Sequence, residues 1–173
     1  MSMNRKIFLI VILFIVACVA GFFVWKIFFG ENDQEIIQLR MNEVARMMGK
    51  SGDESFVVQA ENAKKISDYF DDTCEMSLPK FHKQAKMTRK DIQKNIATAR
   101  NWTTSLEIKF YEMEFHFQED DPNRCKVLFT GMIKAKTKTG GSFEEGYDLE
   151  MKWVKKDGEW LIEAIGFSEI LNK

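Results

Sequence analysis

The sequence predicts an α+β protein in which one transmembrane helix precedes a domain of about three helices packed on a curved, mainly antiparallel sheet. Three observations predict this fold class. An uncharged apolar run opens the chain, apolar residues then recur at helical spacing over residues 37–99, and strand-like alternation follows over residues 106–167. This order, helices first and strands afterwards, is typical of α+β domains, in which the helices cover one face of a sheet.

The first predicted element is a membrane segment. Residues 7–25 carry no charged side chain, and Arg5 and Lys6 precede them. A helix of this length spans roughly the 30 Å hydrocarbon core of a bilayer, and basic residues ahead of it keep the N-terminus in the cytoplasm. We therefore predict that residues 1–30 are a cytoplasmic tip and signal-anchor in a bacterial cytoplasmic membrane, and that residues 31–173 form an extracytoplasmic domain.

Two alternatives stay open for this segment. Ala17 and Ala20 are weak candidates for the cleavage site of a secretory signal peptide, and Ile15-Val-Ala-Cys18 resembles a permissive lipoprotein box with the lipid on Cys18. The apolar run, however, continues as far as Trp25, and a mature lipoprotein would carry that stretch awkwardly next to its lipid. A retained membrane anchor is therefore the leading prediction.

Composition and charge exclude some classes of function. The formal net charge is −1 at pH 7, and the basic residues of the N-terminus leave the remaining chain mildly acidic. Proteins that bind nucleic acid neutralise phosphates with clustered Lys and Arg, so nucleic acid is not an expected partner. A hydrophobic content of 45% is ordinary for a protein with a packed core, and it argues against a disordered body.

Three helices are predicted in the first half of the domain. Two capping boxes mark helix starts, Ser51 with Glu54 for the second helix and Thr88 with Asp91 for the third. In such a box each of the two side chains accepts a hydrogen bond from the backbone of the other residue. The side chains predicted to face the core are Ile37, Met41, Val44 and Met48 in the first helix, Phe56, Ala60, Ala63, Ile66 and Phe70 in the second, and Ile92, Ile96 and Ala99 in the third.

Alternation and turn signals predict one short strand and then a meander of four. The first strand of the meander changes phase between Phe110 and Tyr111, which predicts a β-bulge that bends the sheet. Asp157-Gly158 supplies the tight turn of the last hairpin, because glycine accepts a positive φ. The charged residues between the apolar ones predict an outer face with cross-strand ion pairs. The predicted strands are Cys74–Leu78, Leu106–Phe117, Cys125–Ala135, a strand that begins near Phe143, and Trp160–Phe167.

This order of elements resembles the nuclear-transport-factor-two-like superfamily. The segment that carries the resemblance is Met151-Lys-Trp-Val-Lys-Lys-Asp-Gly-Glu-Trp-Leu-Ile162, which is similar to the closing hairpin of that superfamily, and the resemblance extends over about residues 33–170. It implies the cone-shaped α+β fold of ketosteroid-isomerase-like and polyketide-cyclase-like proteins, in which a curved sheet wraps around helices and a pocket lies between them. The fold hosts enzymes, binding modules and scaffolds, so it implies no single function.

Five residues are candidates for binding a ligand inside such a cone. Tyr147 is the one polar residue on a presumed inner face that is otherwise apolar and that also includes Phe129 and Trp153. Tyr111 lies at the predicted bulge, where side chains are sometimes turned toward a site. Tyr69 lies at the end of the second helix and could line the mouth of a pocket. Core packing is the competing role for these residues.

The sequence contains no catalytic motif, and no cofactor or metal ion is expected. His82 and His116 are isolated and lack the spacing of zinc ligands. The resemblance implies that Cys74 and Cys125 lie on strands that are not neighbours, which favours two free buried thiols, although an oxidising compartment would permit a disulfide.

Three functions are consistent with these features. The leading hypothesis is a non-catalytic, membrane-tethered extracytoplasmic domain that binds an envelope protein or a small apolar ligand in the cone. The second is an assembly subunit similar to the inner-membrane scaffolds of type four secretion systems. The third is an isomerase or dehydratase in which Tyr147 or Tyr111 donates a hydrogen bond and an unidentified carboxylate acts as base.

Overall fold

The computed structural model describes residues 32–78 and 83–168, which hold three helices and seven strands. From Ile36 onward these elements form one compact unit. Their bounds, in chain order, are α1 (Asp33–Met48), β1 (Lys50–Ser51), α2 (Phe56–Ser67), β2 (Phe70–Leu78), β3 (Lys83–Thr88), α3 (Arg89–Trp102), β4 (Thr103–Phe117), β5 (Arg124–Thr137), β6 (Ser142–Lys156) and β7 (Glu159–Phe167).

The predicted membrane segment, residues 7–25, lies outside the described residues, as do Cys18 and His82. Within the part of the chain that the structure describes, no helix combines the length and the hydropathy needed to cross a bilayer. The membrane anchor and the lipoprotein alternative therefore stay predictions.

The described strands form one sheet in the order β1-β4-β5-β6-β7-β2-β3. β4 to β7 form an antiparallel meander, and β2 joins it through a parallel pairing with β7. β1 is so short that it covers only Ser105 and Leu106 of β4. The predicted α+β class is confirmed, with three helices on a mixed, mainly antiparallel sheet.

A β-bulge divides β4 into two halves. The register with β5 shifts between Tyr111 and Glu114, and Glu112 takes a left-handed φ of 53°. The sequence predicts the bulge at Phe110–Tyr111, and the structure has it slightly later along the strand. The difference matters for Tyr111, which stays on the outer face with 47% of its surface exposed, whereas the inner face resumes at Met113.

The helices cover one face of the sheet and complete the core there. α1 contributes Ile37 and Met41, α2 contributes Ile66, and the sheet contributes Val127 and Trp153, none of which has any exposed surface. Burial of such side chains gives about 1.5–3 kcal/mol each, which is the main stabilising contribution to the domain. The apolar stripe predicted for α1 and the predicted inner face of β5 are confirmed.

α2 begins one turn later than the sequence predicts. Its N-cap is Ser55 rather than Ser51: Ser55 Oγ accepts a hydrogen bond from the Val58 N–H at 3.3 Å, and Ser51 belongs to β1. Phe56 is then the first residue of the helix, and it stands 83% exposed instead of joining the core. The physical reason is that the buried stripe of α2 starts nearly one turn further on, at Gln59.

α3 begins with the predicted capping box. Thr88 Oγ1 accepts a hydrogen bond from the Asp91 N–H at 3.3 Å, and Asp91 Oδ2 accepts one from the Thr88 N–H at 2.9 Å. The Thr88 hydroxyl also donates to Asp91 Oδ2 at 2.6 Å, and this hydrogen bond, followed by the one from the Thr88 N–H, holds the pKa of the Asp91 carboxyl below its usual value. The local sequence signal is therefore sufficient to place this helix start.

Two strands differ from the prediction. β2 begins at Phe70 rather than at Cys74, and β3, Lys83–Thr88, is not predicted at all. In the described sheet β3 pairs only with β2 and is therefore an edge strand. Edge strands tolerate lysine and other polar residues, so the sequence of β3 lacks the alternation of apolar residues that predicts a strand.

A buried arginine ties the three helices together at one end of the domain. The sequence predicts that Ala99 faces the core, but the structure buries Arg100 instead, with 1% of its side chain exposed. Arg100 Nη1 donates hydrogen bonds to the carbonyls of residues 47–49 at 2.6–3.1 Å, and Nη2 contacts both carboxylate oxygens of Glu54 at 2.7 Å. The Nζ of Lys50 donates to the Arg100 carbonyl at 2.8 Å. The guanidinium thus satisfies carbonyls at the end of α1 that the helix itself leaves without partners.

Candidate functional site

Core packing fills one end of the inner face of the sheet. Trp153 has no exposed surface and Phe129 is 3% exposed, and both belong to the cluster that includes Ile37, Met41 and Ile66 of the helices. Both are predicted to bind a ligand, and the structure places both in the core. A ligand at this position would have to displace side chains from a close-packed interior, so the site must be sought elsewhere on the inner face.

Among the residues that the structure describes, the inner face is uncovered at the other end, where β6 extends beyond the last described residues of β7. β7 ends at Phe167, which pairs with Leu149, so residues 142–147 of β6 have only β5 beside them in the described sheet. Because side chains alternate along a strand, the odd-numbered residues of this stretch share the inner face with Leu149. Phe143 is 39% exposed there. We define the open end as the inner-face residues Phe143, Glu145, Tyr147, Leu149 and Phe167.

Aromatic rings form the walls of the open end. The rings of Tyr147 and Phe167 meet edge to face, with their centroids 5.6 Å apart. Gly131 pairs with Tyr147 across the strands, and a Cβ atom there would come 3.0 Å from Leu149 Cδ1 and 3.9 Å from Phe110 Cδ1. Because Gly131 has no side chain, the side chains of Leu149 and Phe110 can pack directly against the backbone of β5 at this position.

A carboxylate shares this face with Tyr147. Glu145 precedes Tyr147 by two residues, which corresponds to about 6.6 Å along a strand, and it pairs with Ile133 of β5. Its side chain is exposed, and within the described residues it takes part in no hydrogen bond or ion pair. The sequence prediction misses Glu145 because it assigns the charged residues of this strand to the outer face. The alternation that includes Tyr147 and Leu149 is the signal that identifies it.

Tyr111 lies on the outer face of the sheet, away from the open end. Its side chain lines a shallow cleft of about 160 Å³ among charged neighbours. The ion pairs beside it join Lys134 to Glu144 at 2.9 Å and Lys109 to Glu107 at 2.6 Å. The cross-strand pair of Lys134 and Glu144 is of the kind that the sequence predicts, and its polar surroundings give Tyr111 no part in an apolar site.

Tyr69 lies between α2 and β2, where its hydroxyl is already engaged. It donates a hydrogen bond to Glu43 Oε2 at 2.6 Å, and the Arg40 guanidinium lies 5.7 Å from the ring centroid. Burial, followed by the hydrogen bond with Glu43, raises the pKa of Tyr69 to about 12. The raised pKa favours the neutral phenol in the folded state, so its contribution to stability is present below pH 10 and is lost as the pH rises toward 12.

Cys74 and Cys125 are buried and form no disulfide with each other, as the resemblance implies. Cys74 is on β2 and Cys125 is on β5, and β6 and β7 separate these strands in the sheet. Burial raises the pKa of the Cys74 thiol to about 12. A thiol with this pKa is protonated at neutral pH and does not act as a nucleophile.

Within the described residues, no Asp, Glu or His side chain is buried. The buried charged side chains there are Lys50 and Arg100, and both are held by the backbone or by Glu54. His116 is exposed, and its Nε2 lies 3.7 Å from Glu114. The same part of the chain contains no group of three or more His, Cys, Asp or Glu residues that could hold a metal ion.

Comparison with known proteins identifies the fold. No protein-family model and no curated protein sequence matches the chain. The protein Kfla4162 of Kribbella flavida superimposes with a TM-score of 0.64 at 6% sequence identity, over 79% of this chain and 89% of its own. A proposed aromatic ring hydroxylase of Novosphingobium aromaticivorans gives 0.64 at 9% identity, over 80% and 90%. A proposed scytalone dehydratase of the same species gives 0.59 at 13% identity, over 78% and 81%.

Sequence identity this low shows a shared fold and not a shared chemistry. The neighbours have the cone-shaped fold of nuclear-transport-factor-two-like proteins, so the fold that the resemblance implies for this chain is confirmed.

Proposed function

We propose that this chain is a non-catalytic, membrane-tethered extracytoplasmic domain that binds a small apolar ligand at the open end of the cone. One observation carries the proposal: inner-face aromatic side chains remain accessible where β6 extends past β7, with Phe143 39% exposed and Tyr147 partly exposed beside Phe167. Binding sites for small molecules are concave, mostly apolar, and furnished with a few polar groups. Tyr147 and Glu145 are the polar groups on this face of β6.

The packed half of the inner face limits the size of the ligand. Because Phe129 and Trp153 are buried in the core, a ligand must enter from the open end and stop near Leu149. A compact ligand with one aromatic ring suits this space, since rings pack edge to face against Tyr147 and Phe167 at the distances that such pairs prefer.

Ligand binding is testable with 2-phenylethanol as a neutral aromatic probe. We expect the full chain in nanodiscs to bind the probe with a millimolar dissociation constant. Tyr147→Ala should raise this dissociation constant about tenfold, because it removes an aromatic contact and apolar area worth about 1.4 kcal/mol. NMR titration of the aromatic signals provides the measurement. Tyr111→Ala, on the outer face, is the matched control and should leave the affinity unchanged. Equal affinities for the wild type and Tyr147→Ala would contradict the proposal.

A second candidate function is proton transfer at the same site. The placement of Glu145 on the face of Tyr147 favours it, because an isomerase or dehydratase needs a carboxylate base near a hydrogen-bond donor. One structural neighbour is itself a proposed scytalone dehydratase. The exposure of Glu145 argues against this function, since enzymes commonly activate such a base by burial. Conversion of 3-cyclohexenone to 2-cyclohexenone by the wild type, lost in Glu145→Gln, would favour proton transfer over simple binding.

The tether belongs to the proposal because it rests on the sequence of residues 7–25 and on Arg5 and Lys6. We expect the full chain to remain in the membrane after alkaline carbonate extraction of bacterial cells, and a chain without residues 1–30 to be released. Cys18→Ser is the informative control: a lipoprotein would lose its attachment, whereas a transmembrane anchor would keep it. Release of the full chain by carbonate would contradict the tether.

A further inference from the structure

On β4, β5 and β6, the charge on the inner face at the open end is of one sign. The β4 and β5 residues that face the helices here are uncharged, namely Ile108, Phe110, Gly131, Ile133 and Ala135. β6 adds Phe143, Glu145 and Tyr147 to the same face. Glu145 is therefore the only charged residue that β4, β5 and β6 present to the open end, and Lys50 of β1, which pairs with Leu106 on the same face, is buried with its Nζ donating to the carbonyls of Arg100 and Thr103.

The lysines of β4 and β5 lie on the other face. Lys134 pairs with Glu144 at 2.9 Å and Lys109 pairs with Glu107 at 2.6 Å, both on the outer side of the sheet. Glu145 instead pairs across the strands with Ile133 and takes part in no ion pair within the described residues. Glu144 therefore has a lysine partner, whereas Glu145 has no basic partner among the described residues.

Aromatic rings flank this carboxylate. Phe143 and Tyr147 lie on either side of Glu145 along the same face of β6, each about 6.6 Å away in strand spacing. The ring of Phe167 adjoins that of Tyr147. The face of an aromatic ring attracts a cation within about 6 Å, because its quadrupole places negative charge above the ring. Carboxylate and rings therefore favour the same sign of charge in a ligand and disfavour an anion.

We propose that the open end selects organic cations, in which an ammonium or related group is carried on a small apolar body. The inference rests on the proposed ligand-binding function and names the chemical class of its ligand. The apolar body lies against Leu149 and the rings, and the cation lies against Glu145. The role of Glu145 is to bind the cation, and no proton or bond is transferred.

Three probes of matched shape test this inference, namely 2-phenylethylammonium, 2-phenylethanol and phenylacetate. Dissociation constants are measured by NMR titration of the full chain in zwitterionic nanodiscs, so that the lipid adds no net charge. We expect the ammonium to bind about tenfold more tightly than the alcohol, and phenylacetate to bind most weakly, since one exposed ion pair and one cation–π contact contribute modestly. Raising the salt concentration should reduce the preference for the ammonium.

Two adjacent glutamates provide the variant and its control. Glu145→Gln should weaken binding of the ammonium to the level of the alcohol. Glu144→Gln removes a carboxylate on the opposite face of the same strand and should leave the order of the three probes unchanged. The Gln side chain keeps the size of Glu at both positions, and both residues are exposed, so neither change is expected to disturb folding.

The outcomes separate this inference from the function on which it rests. Equal affinities for the three probes, or a Glu145→Gln variant that keeps the preference for the ammonium, would overturn the selection of cations. If 2-phenylethanol still bound in a manner sensitive to Tyr147→Ala, the ligand site itself would stand. If no probe bound at Tyr147, the ligand site and the inference would both be wrong.

Discussion

Replacing Arg100 by methionine is expected to lower the free energy of unfolding by about 3–5 kcal/mol, which is the range for breaking a buried ion pair from one side. The substitution keeps a long apolar side chain but leaves Glu54 without its guanidinium, and it leaves the carbonyls of residues 47–49 without a donor. The effect should be large because Arg100 is 1% exposed and water cannot replace these contacts. Urea unfolding of the full chain, followed by circular dichroism, gives the change in free energy.

The control for this prediction is another arginine on the same group of helices. Arg46 lies on α1, its side chain is 74% exposed, and it is 3.6 Å from Glu43. Exposed ion pairs contribute about 0–1 kcal/mol, so Arg46→Met should change the free energy of unfolding by less than about 1 kcal/mol. A similarly small change in Arg100→Met would show that the buried contacts do not hold the helix ends together.

Replacing Trp153 by alanine is expected to cost about 3–5 kcal/mol of stability, the usual range for truncating a buried tryptophan. Trp153 has no exposed surface and packs in the main apolar cluster with Val127 and Ile162. Its indole N–H has no hydrogen-bond partner among the described residues, so the contribution expected from the ring is one of packing. The shift of the urea unfolding midpoint, with the m-value unchanged, gives the decrease in the free energy of unfolding.

This prediction also decides whether Trp153 is a core residue or a wall of a ligand site. A residue that lined an empty pocket would lose little packing on truncation, so a loss below about 1 kcal/mol would contradict its placement in the core. Trp102 is the matched control, because its side chain is 57% exposed at the end of α3. Trp102→Ala should change stability by no more than about 0.5 kcal/mol.

Local patterns in the sequence predict most of the fold. The Thr88–Asp91 capping box places the start of α3, and the alternation of apolar residues places the inner face of β5. Such signals succeed because they depend on neighbours within a few residues of each other. β3, by contrast, is a polar edge strand whose existence depends on pairing with β2, and no local pattern announces it.

The candidate site is harder to predict from the sequence than the fold, because its position depends on where the helices and strands end. Phe129 and Trp153 alternate like pocket residues, but only the packing of the helices shows that they are buried in the core. Arg100 replaces Ala99 on the buried face of α3 because the end of α1 supplies carbonyls at that position, which helical spacing cannot show. Glu145 belongs to the open end because the described pairing of β6 with β7 ends at Leu149 and Phe167.

β1 pairs with only two residues of β4, and this short pairing has a consequence for self-association. Beyond Leu106, β4 has a backbone edge without a partner among the residues that the structure describes, and such an edge can template fibril growth. The kink at Glu112 interrupts the register that an incoming strand would need, and Glu114 adds an exposed charge near it. These features disfavour the edge-to-edge pairing of two copies of the domain along this part of β4.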